Sequence, residues 1–269
     1  MTRVLAIVGM HRSGTSLLAR YLYESGLFIG TDLLGKHESN PAGHFEDWEF
    51  LNLHIAILAA HNLNHKVSSP VQWNINQAML SQARALIDAR SCREQWGWKD
   101  PRTCLILPFW KSLLPDCNFV VTYRHYLPVI RSLISRDMQI YRDTTNRVQR
   151  LRQRRFRQDE IDRLCNEYLR IWIWYNSEII RNILEDPGAR FSFISFEQLI
   201  HGETQHLDFA LQQSGFVLRP PQHFKTDISR SKVTRTIALH PDVDLLREAD
   251  RIHSRFSELI QKDRSVTPP

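Results

Sequence analysis

The sequence has few cysteines, no long apolar run and only a small excess of charge. Its four cysteines are scattered, with no Cys-x-x-Cys pair and no metal-ligand spacing, a pattern typical of free thiols in a reducing compartment. A membrane span needs about eighteen apolar residues, and no apolar run in the sequence approaches that length. The first apolar run is also too short for a signal peptide. We therefore expect a cytoplasmic protein without a membrane span or a bound metal.

The charge balance argues against a nucleic-acid-coating protein. A formal charge of +6, from 35 basic and 29 acidic side chains, suits anionic ligands. It falls short of the clustered basic excess of a nucleic-acid-coating protein, so no nucleic-acid partner is expected. The sequence does not indicate an oligomeric state.

The length and element pattern predict one α/β domain. A chain of 269 residues with 42% hydrophobic content can bury one sizeable core. Apolar strands alternate with amphipathic helices, which predicts a P-loop-like three-layer fold with a central parallel sheet flanked by helices. The domain is predicted to span 1–269, with an arginine-rich helical or loop insertion at about 137–163. This insertion is either a solvated charged face or a gate that recruits an anionic substrate.

The N-terminal stretch predicts an anion-binding loop. Five apolar residues at 4–8 read as a buried strand, a glycine-containing loop follows, and residues 16–23 have helical periodicity. In this order, loop amides and the positive end of the helix dipole both point at a bound phosphate or sulfate. A tight strand-to-helix turn without a ligand is the alternative.

The same loop departs from the usual nucleoside triphosphate motif. Gly9 and Gly14 have P-loop spacing and Ser16 has the final hydroxyl position, but Thr15 stands where the lysine belongs. That lysine reaches the β and γ phosphates, so its absence argues against an ordinary ATPase or kinase. Arg12 is the only cation inside the loop that could replace it.

The loop carries a family resemblance. Residues 10–17, Met-His-Arg-Ser-Gly-Thr-Ser-Leu, resemble the 5'-phosphosulfate loop of sulfotransferases that use 3'-phosphoadenosine-5'-phosphosulfate (PAPS). The closest branches are the bacterial, carbohydrate and protein-tyrosine types with Arg-Ser-Gly-Thr. The resemblance implies that the loop residues hold the donor's 5'-phosphosulfate: Arg12, Ser13, Gly14, Thr15 and Ser16.

A second stretch resembles an element that follows this loop in the family. Asn40, Pro41, Gly43 and Glu46 match Asn-Pro-x-Gly-x-x-Glu, in which the acidic residue is the proposed catalytic base. A carboxylate within hydrogen-bond reach can take the proton that an attacking hydroxyl loses. The alternative is that the acidic pair Glu46 and Asp47 only favours a helix N-terminus through the dipole. His44 is a rival base.

A third stretch resembles the Lys-Asp-Pro element of related sulfotransferases. Lys99 emerges at the end of a short tryptophan-rich strand, and Thr103 is predicted to cap the helix that follows. The resemblance implies that Lys99 and Arg12 neutralise charge on the moving sulfuryl group and the leaving phosphate. The alternative is a surface Lys-Asp pair of little consequence.

The family's 3'-phosphate site also has a counterpart. Arg124 follows a buried strand, and Ser132 lies eight residues on in the next helix, the separation with which sulfotransferases hold the donor's 3'-phosphate. Arginine at a strand end and a hydroxyl in the first helical turns can converge on one anion. Arg230 occupies the place of the family's basic C-terminal loop, although the chain lacks its Arg-Lys-Gly tripeptide.

Together these motifs predict an enzyme. We expect in-line transfer of a sulfuryl group from PAPS to a hydroxyl or amine of a saccharide or peptide, with Glu46 as base, no metal and 3',5'-adenosine bisphosphate as product. A P-loop kinase or nucleotide-binding protein lacking the usual lysine is the first alternative. The second is an anion- or nucleic-acid-binding module built on the arginine-rich stretch.

Overall fold

Four parallel strands form the centre of the molecule. The computed structural model describes residues 2–35, 43–144, 157–222, 224 and 237–266. Within them, β1 (Arg3–Val8), β2 (Gln95–Lys99), β3 (Asn118–Tyr123) and β4 (Arg190–Ser195) pair in the order β2-β1-β3-β4. All three pairings are parallel, with Ile7 opposite Lys99 and Val8 opposite Val121. All four carboxyl ends therefore lie along one edge of the sheet.

Helices follow the strands as the alternating pattern predicts. The sheet is flanked by α1 (Thr15–Glu24), α2 (Trp48–Ala59), α3 (Gln77–Arg90), α4 (Leu107–Leu113), α5 (Tyr126–Thr144), α6 (Gln158–Glu185), α7 (Phe196–His201), α8 (Gln205–Gln213) and α9 (Val243–Val266). A 3₁₀ turn, Pro101–Ile106, connects β2 to α4. The predicted α/β fold with a central parallel sheet is confirmed. No described helix is long and apolar enough to cross a bilayer.

The core divides into two apolar clusters, one on each face of the sheet. Alternate residues of β1 belong to different clusters: Ala6 and Val8 to one, Leu5 and Ile7 to the other. This alternation is the two-residue period of a strand covered on both faces. The larger cluster contains an aromatic group in which Trp98 packs against Phe50 and Trp110, with ring centroids 5.1 and 4.9 Å apart. These rings fix the strand that ends in Lys99.

Helices α5 and α6 extend into the predicted arginine-rich insertion. Helix α5 continues to Thr144 and α6 begins at Gln158. Met138 and Ile161 are buried in the main core cluster, which explains why helix continues into this charged stretch. Residues 145–156, which include most of its arginines, lie outside the described residues.

Candidate active site

The loop between β1 and α1 has an unusual backbone. Arg12 has a φ of 68° and Gly14 a φ of 97°, so left-handed residues alternate through the loop. Such alternation turns successive amides toward one side and forms an anion-binding concavity. Side-chain space also requires glycine at position 14, because an added Cβ would lie 2.8 Å from the Phe196 ring. Thr122 Oγ1 holds the loop from β3 by donating to the carbonyl of Ser13 at 3.0 Å.

The first turn of α1 has no side-chain cap. Asp47, Asn76 and Ser195 each accept a hydrogen bond from a first-turn amide of α2, α3 and α7, respectively. The N-cap of α1 is Gly14, which has no side chain to do so, and its first turn holds no acidic residue. Helix N-terminal amides without a side-chain partner are suited to binding a phosphate or sulfate.

Two predicted donor-binding residues converge on Arg12. Its Nε donates to Ser132 Oγ at 2.8 Å, and Arg124 Nη1 donates to its carbonyl at 3.3 Å. Burial, together with the nearby charges of Arg136 and Arg124, lowers the pKa of Arg12 to about 10. Packing cations this closely is unfavourable unless an anion binds among them. The structure thus brings the predicted 5'-phosphosulfate loop and the predicted 3'-phosphate residues into direct contact.

Phe196 positions the guanidinium of Arg124. The Cζ atom of Arg124 lies 3.8 Å from the centroid of the Phe196 ring, a cation–π contact. Burial lowers the pKa of Arg124, and its Nε atom is buried without a partner among the described residues. The sequence motifs described above do not include Phe196. Its contact with Arg124 depends on β3 and β4 being neighbours.

Glu46 and Lys99 form a buried ion pair. Lys99 Nζ donates to Glu46 Oε1 at 2.6 Å, and the two side chains are only 1% and 9% exposed. This differs from a solvent-exposed Lys-Asp pair, the alternative raised for Lys99. The pair joins the end of β2 to the segment before α2, 53 residues away in the chain. Buried charges of this kind are paired because leaving either one alone is costly.

Asp47 fixes the segment that carries Glu46. Its side chain accepts from the Glu49 amide at 2.9 Å as the N-cap of α2, and it binds Arg90 Nη2 at 2.6 Å. The helix-capping role considered for the acidic pair therefore belongs to Asp47. The carbonyl of Glu46 accepts a hydrogen bond from the amide of Leu34 at 2.7 Å. The amide of His44, the rival base, donates to the carbonyl of Leu34 at 3.2 Å.

Asp100, rather than Thr103, begins the turn after Lys99. The Asp100 carboxylate accepts from the Arg102 amide at 2.8 Å, whereas Thr103 Oγ1 accepts from Trp98 Nε1 at 3.1 Å. The prediction that Thr103 caps the following helix is wrong, since the indole N–H needs a buried partner. Asp100 is itself buried beside His54 Nδ1 at 3.0 Å. The adjacent charges of His54 and Arg102 overcome burial and hold the Asp100 pKa well below its usual range.

Two histidines meet beside the loop. The rings of His11 and His65 make an edge-to-face contact with centroids 5.4 Å apart, and His11 also contacts Tyr175. His65 forms a His-x-x-x-His pair with His61. Its partner, His61, instead supports a loop, because its Nε2 accepts from the Asn74 amide at 2.8 Å. Within the described chain no group of three potential ligands could hold a metal.

Acidification is expected to lower the melting temperature through His65. Burial and the charges of Arg136, Arg102 and Lys66 lower its pKa from 6.5 to about 4, although Asp137 opposes them. The unfolded chain therefore binds a proton at a higher pH than the folded chain. The stability that this difference in proton binding at His65 contributes is present above pH 6.5 and is lost as the pH falls toward 4.

Melting curves of the wild type and His65→Gln at pH 7, 6, 5 and 4 would measure this effect. Because glutamine does not titrate, the wild type should lose more stability than the variant over this range. Parallel losses in the two proteins would contradict the assignment. The three nearby ion pairs, Arg102–Asp100, Arg136–Asp137 and Lys66–Glu167, are common to both proteins.

Several predicted residues cannot be compared with the structure. Arg230, Asn40 and Pro41 lie outside the described residues. All four cysteines are free thiols, as the sequence predicts. A groove of about 470 Å³ between α6 and α9 is lined by none of the residues considered above.

Comparisons with known proteins define the class. The chain matches the model of the sulfotransferase family over residues 5–215 and therefore belongs to that family. A sulfotransferase from Alicyclobacillus acidocaldarius has a similar structure, with a TM-score of 0.53 and 15% identity over 97% of this chain and 96% of its own. Among curated proteins, no sequence matches this chain significantly.

Two further solved structures are similar. The sulfotransferase domain from the curacin biosynthetic pathway has a TM-score of 0.50 and 14% identity, covering 96% of this chain and 98% of its own. Sulfotransferase STF9 from Mycobacterium avium has a TM-score of 0.52 and 12% identity, covering 97% and 76%. At these identities the structures support the shared fold, and the family match identifies the protein as a sulfotransferase enzyme.

Proposed function

We propose that this sulfotransferase uses PAPS as its donor and transfers the sulfuryl group to a hydroxyl, or an amine, of an acceptor. The observation that carries the proposal is the convergence of Arg12, Arg124 and Ser132 beside the uncapped end of α1. This convergence offers two neighbouring anion sites. PAPS carries a 5'-phosphosulfate and a 3'-phosphate on one nucleoside, whereas ATP has no 3'-phosphate.

The donor's 5' end would lie on the loop. Amides from Ser13 to Ser16 and the dipole of α1 would bind the 5'-phosphate, with Gly14 allowing close approach of the backbone. Arg12 would neutralise charge on the sulfuryl oxygens. Arg124, held against the ring of Phe196, would bind the 3'-phosphate together with the hydroxyl of Ser132.

Glu46 and Lys99 would have different roles in the same chemical step. The acceptor oxygen attacks sulfur, its proton passes to the Glu46 carboxylate, and the bond from sulfur to the bridging phosphate oxygen breaks. Once Glu46 is protonated it no longer neutralises Lys99. The ammonium is then free to stabilise the negative charge on the leaving phosphate, so proton uptake at one residue would release the cation that the other end of the reaction needs.

Titration calorimetry tests the donor assignment. The protein should bind 3',5'-adenosine bisphosphate at least about tenfold more tightly than 5'-AMP or ATP, because charged hydrogen bonds to one phosphate contribute about 1.5–3 kcal/mol. Preference for ATP would favour the kinase or nucleotide-binding alternative instead.

Arg124→Ala should remove most of this preference. The variant should weaken binding of 3',5'-adenosine bisphosphate by about 10- to 100-fold and binding of 5'-AMP by less than about threefold. Arg170→Ala, which removes an exposed arginine of α6, is the matched control and should change neither affinity. Equal losses for both ligands in Arg124→Ala would overturn the 3'-phosphate assignment.

A further inference from the structure

The histidine pair beside the loop has hydrogen-bonding capacity that the described protein does not use. The Nε2 atoms of His11 and His65 are both buried, and neither has a partner among the described residues. The nearby Tyr175 hydroxyl is already engaged, because it donates to the carbonyl of His65 at 2.8 Å. Buried polar atoms are nearly always hydrogen-bonded, so two unpartnered nitrogens on rings in contact indicate a ligand or ordered solvent.

Both imidazoles are neutral near pH 7. Burial, followed by the charge of Arg102, lowers the pKa of His11 well below 6.5, and burial with Arg136 and Arg102 lowers that of His65 to about 4. In a neutral imidazole, each nitrogen is either a donor or an acceptor according to the tautomer. A hydroxyl can satisfy both roles, since it donates and accepts.

The three cations whose charges lower the pKa of one or both imidazoles each lie beside a carboxylate. Arg102 Nη1 lies 2.9 Å from Asp100, Arg136 Nη2 lies 3.2 Å from Asp137, and Lys66 Nζ lies 2.7 Å from Glu167, measured to carboxylate oxygens. Each of these three cations already has an acidic partner, so none of them is left unpaired to bind an acidic group of a ligand. The surroundings therefore favour a neutral ligand over a carboxylate or a phosphate.

The pair is linked to both parts of the proposed reaction centre. His11 immediately precedes Arg12 in the loop. Arg102 binds Asp100, and the neighbouring residue Lys99 binds Glu46. Burial lowers the pKa of Arg102, but the charges of Asp100 and Glu46 raise it above its usual value. The same guanidinium acts on both imidazoles. A group bound by the histidines would belong to a molecule reaching Glu46.

We propose that His11 and His65 form a subsite that hydrogen-bonds a second, neutral hydroxyl of the acceptor, adjacent to the hydroxyl that receives the sulfuryl group. The proposal rests on the proposed function and narrows the acceptor to a neutral polyhydroxy compound. It assigns the two histidines to acceptor specificity rather than to donor binding.

Imidazole NMR of the protein saturated with 3',5'-adenosine bisphosphate provides the test. The probes are trans-1,2-cyclohexanediol and cyclohexanol, which differ by one hydroxyl. The diol should shift the ring C–H signals of His11 and His65 with an affinity at least about tenfold higher than that of cyclohexanol, and leave the signal of His201 on α7 unchanged. Unmoved signals at both histidines, or equal affinities for the two probes, would overturn the proposal.

Two variants locate the effect at the subsite. His65→Leu introduces an apolar side chain of similar size and should abolish the preference for the diol, measured from the ring signals of His11. His65→Gln retains polar atoms and should keep part of the preference. The second variant decides the question if the first does not fold. A preference that survives in both would overturn the proposal. Failure of 3',5'-adenosine bisphosphate to bind the wild type would instead overturn the donor assignment, so the two failures are distinguishable.

Discussion

Glu46→Gln is expected to lower kcat by roughly 10²- to 10⁴-fold, the usual contribution of a general base. Glutamine keeps an oxygen that accepts from Lys99 and nearly the same volume, but it cannot take the acceptor's proton. Binding of 3',5'-adenosine bisphosphate should change by less than about threefold. Transfer of labelled sulfate from PAPS to a screened acceptor would measure the first quantity, and calorimetry the second.

Glu49→Gln is the matched control for this experiment. Glu49 lies three residues further on, carries the same carboxylate and binds Arg90 at 2.6 Å, but its side chain is 63% exposed. The same chemical change at that position should leave kcat within about threefold of the wild type, as expected for an exposed ion pair. Full activity in Glu46→Gln would transfer the role of base to His44.

The sequence predicted the elements and the positions of the motifs because both are local patterns. The apolar run of β1, the Gly9 and Gly14 spacing and the emergence of Lys99 after a strand all lie within short windows. In the sequence, Lys99 ends one strand and Arg124 follows another. Parallel topology then requires the carboxyl ends of neighbouring strands to meet, so both residues lie along the same edge of the sheet.

The partners of these residues could not be predicted in the same way. Arg12 binds Ser132 from 120 positions away, and the contact of His11 with His65 crosses from the loop to a connection without periodicity. Such pairings depend on strand order and on how loops pack, and neither leaves a spacing signal. Thr103 illustrates the opposite error, because its suitable cap position was overridden by the buried indole of Trp98.

Lys99→Met is expected to destabilise the fold as well as the reaction. Methionine fills similar space but leaves the Glu46 carboxylate buried without its cation. Breaking a buried ion pair by removing one partner costs about 3–5 kcal/mol, and denaturant unfolding should show a loss of this order. At a temperature where the variant remains folded, kcat should also fall by at least roughly 10²-fold, because the leaving phosphate loses its cation.

A double variant separates these two effects. Lys99→Met combined with Glu46→Gln removes both charges, so the free energy of unfolding should recover to within about 1–2 kcal/mol of the wild type while activity stays low. Lys111→Met provides a more exposed comparison, because Lys111 and Asp186 lie 2.8 Å apart and their side chains are 15% and 43% exposed. Its loss should destabilise the fold much less than the loss of Lys99. If Lys99→Met were no more destabilising than Lys111→Met, the buried pair would not be an energetic unit. If instead the double variant recovered both stability and turnover, Glu46 and Lys99 would be positioning partners for each other and the chemistry would lie elsewhere in the loop.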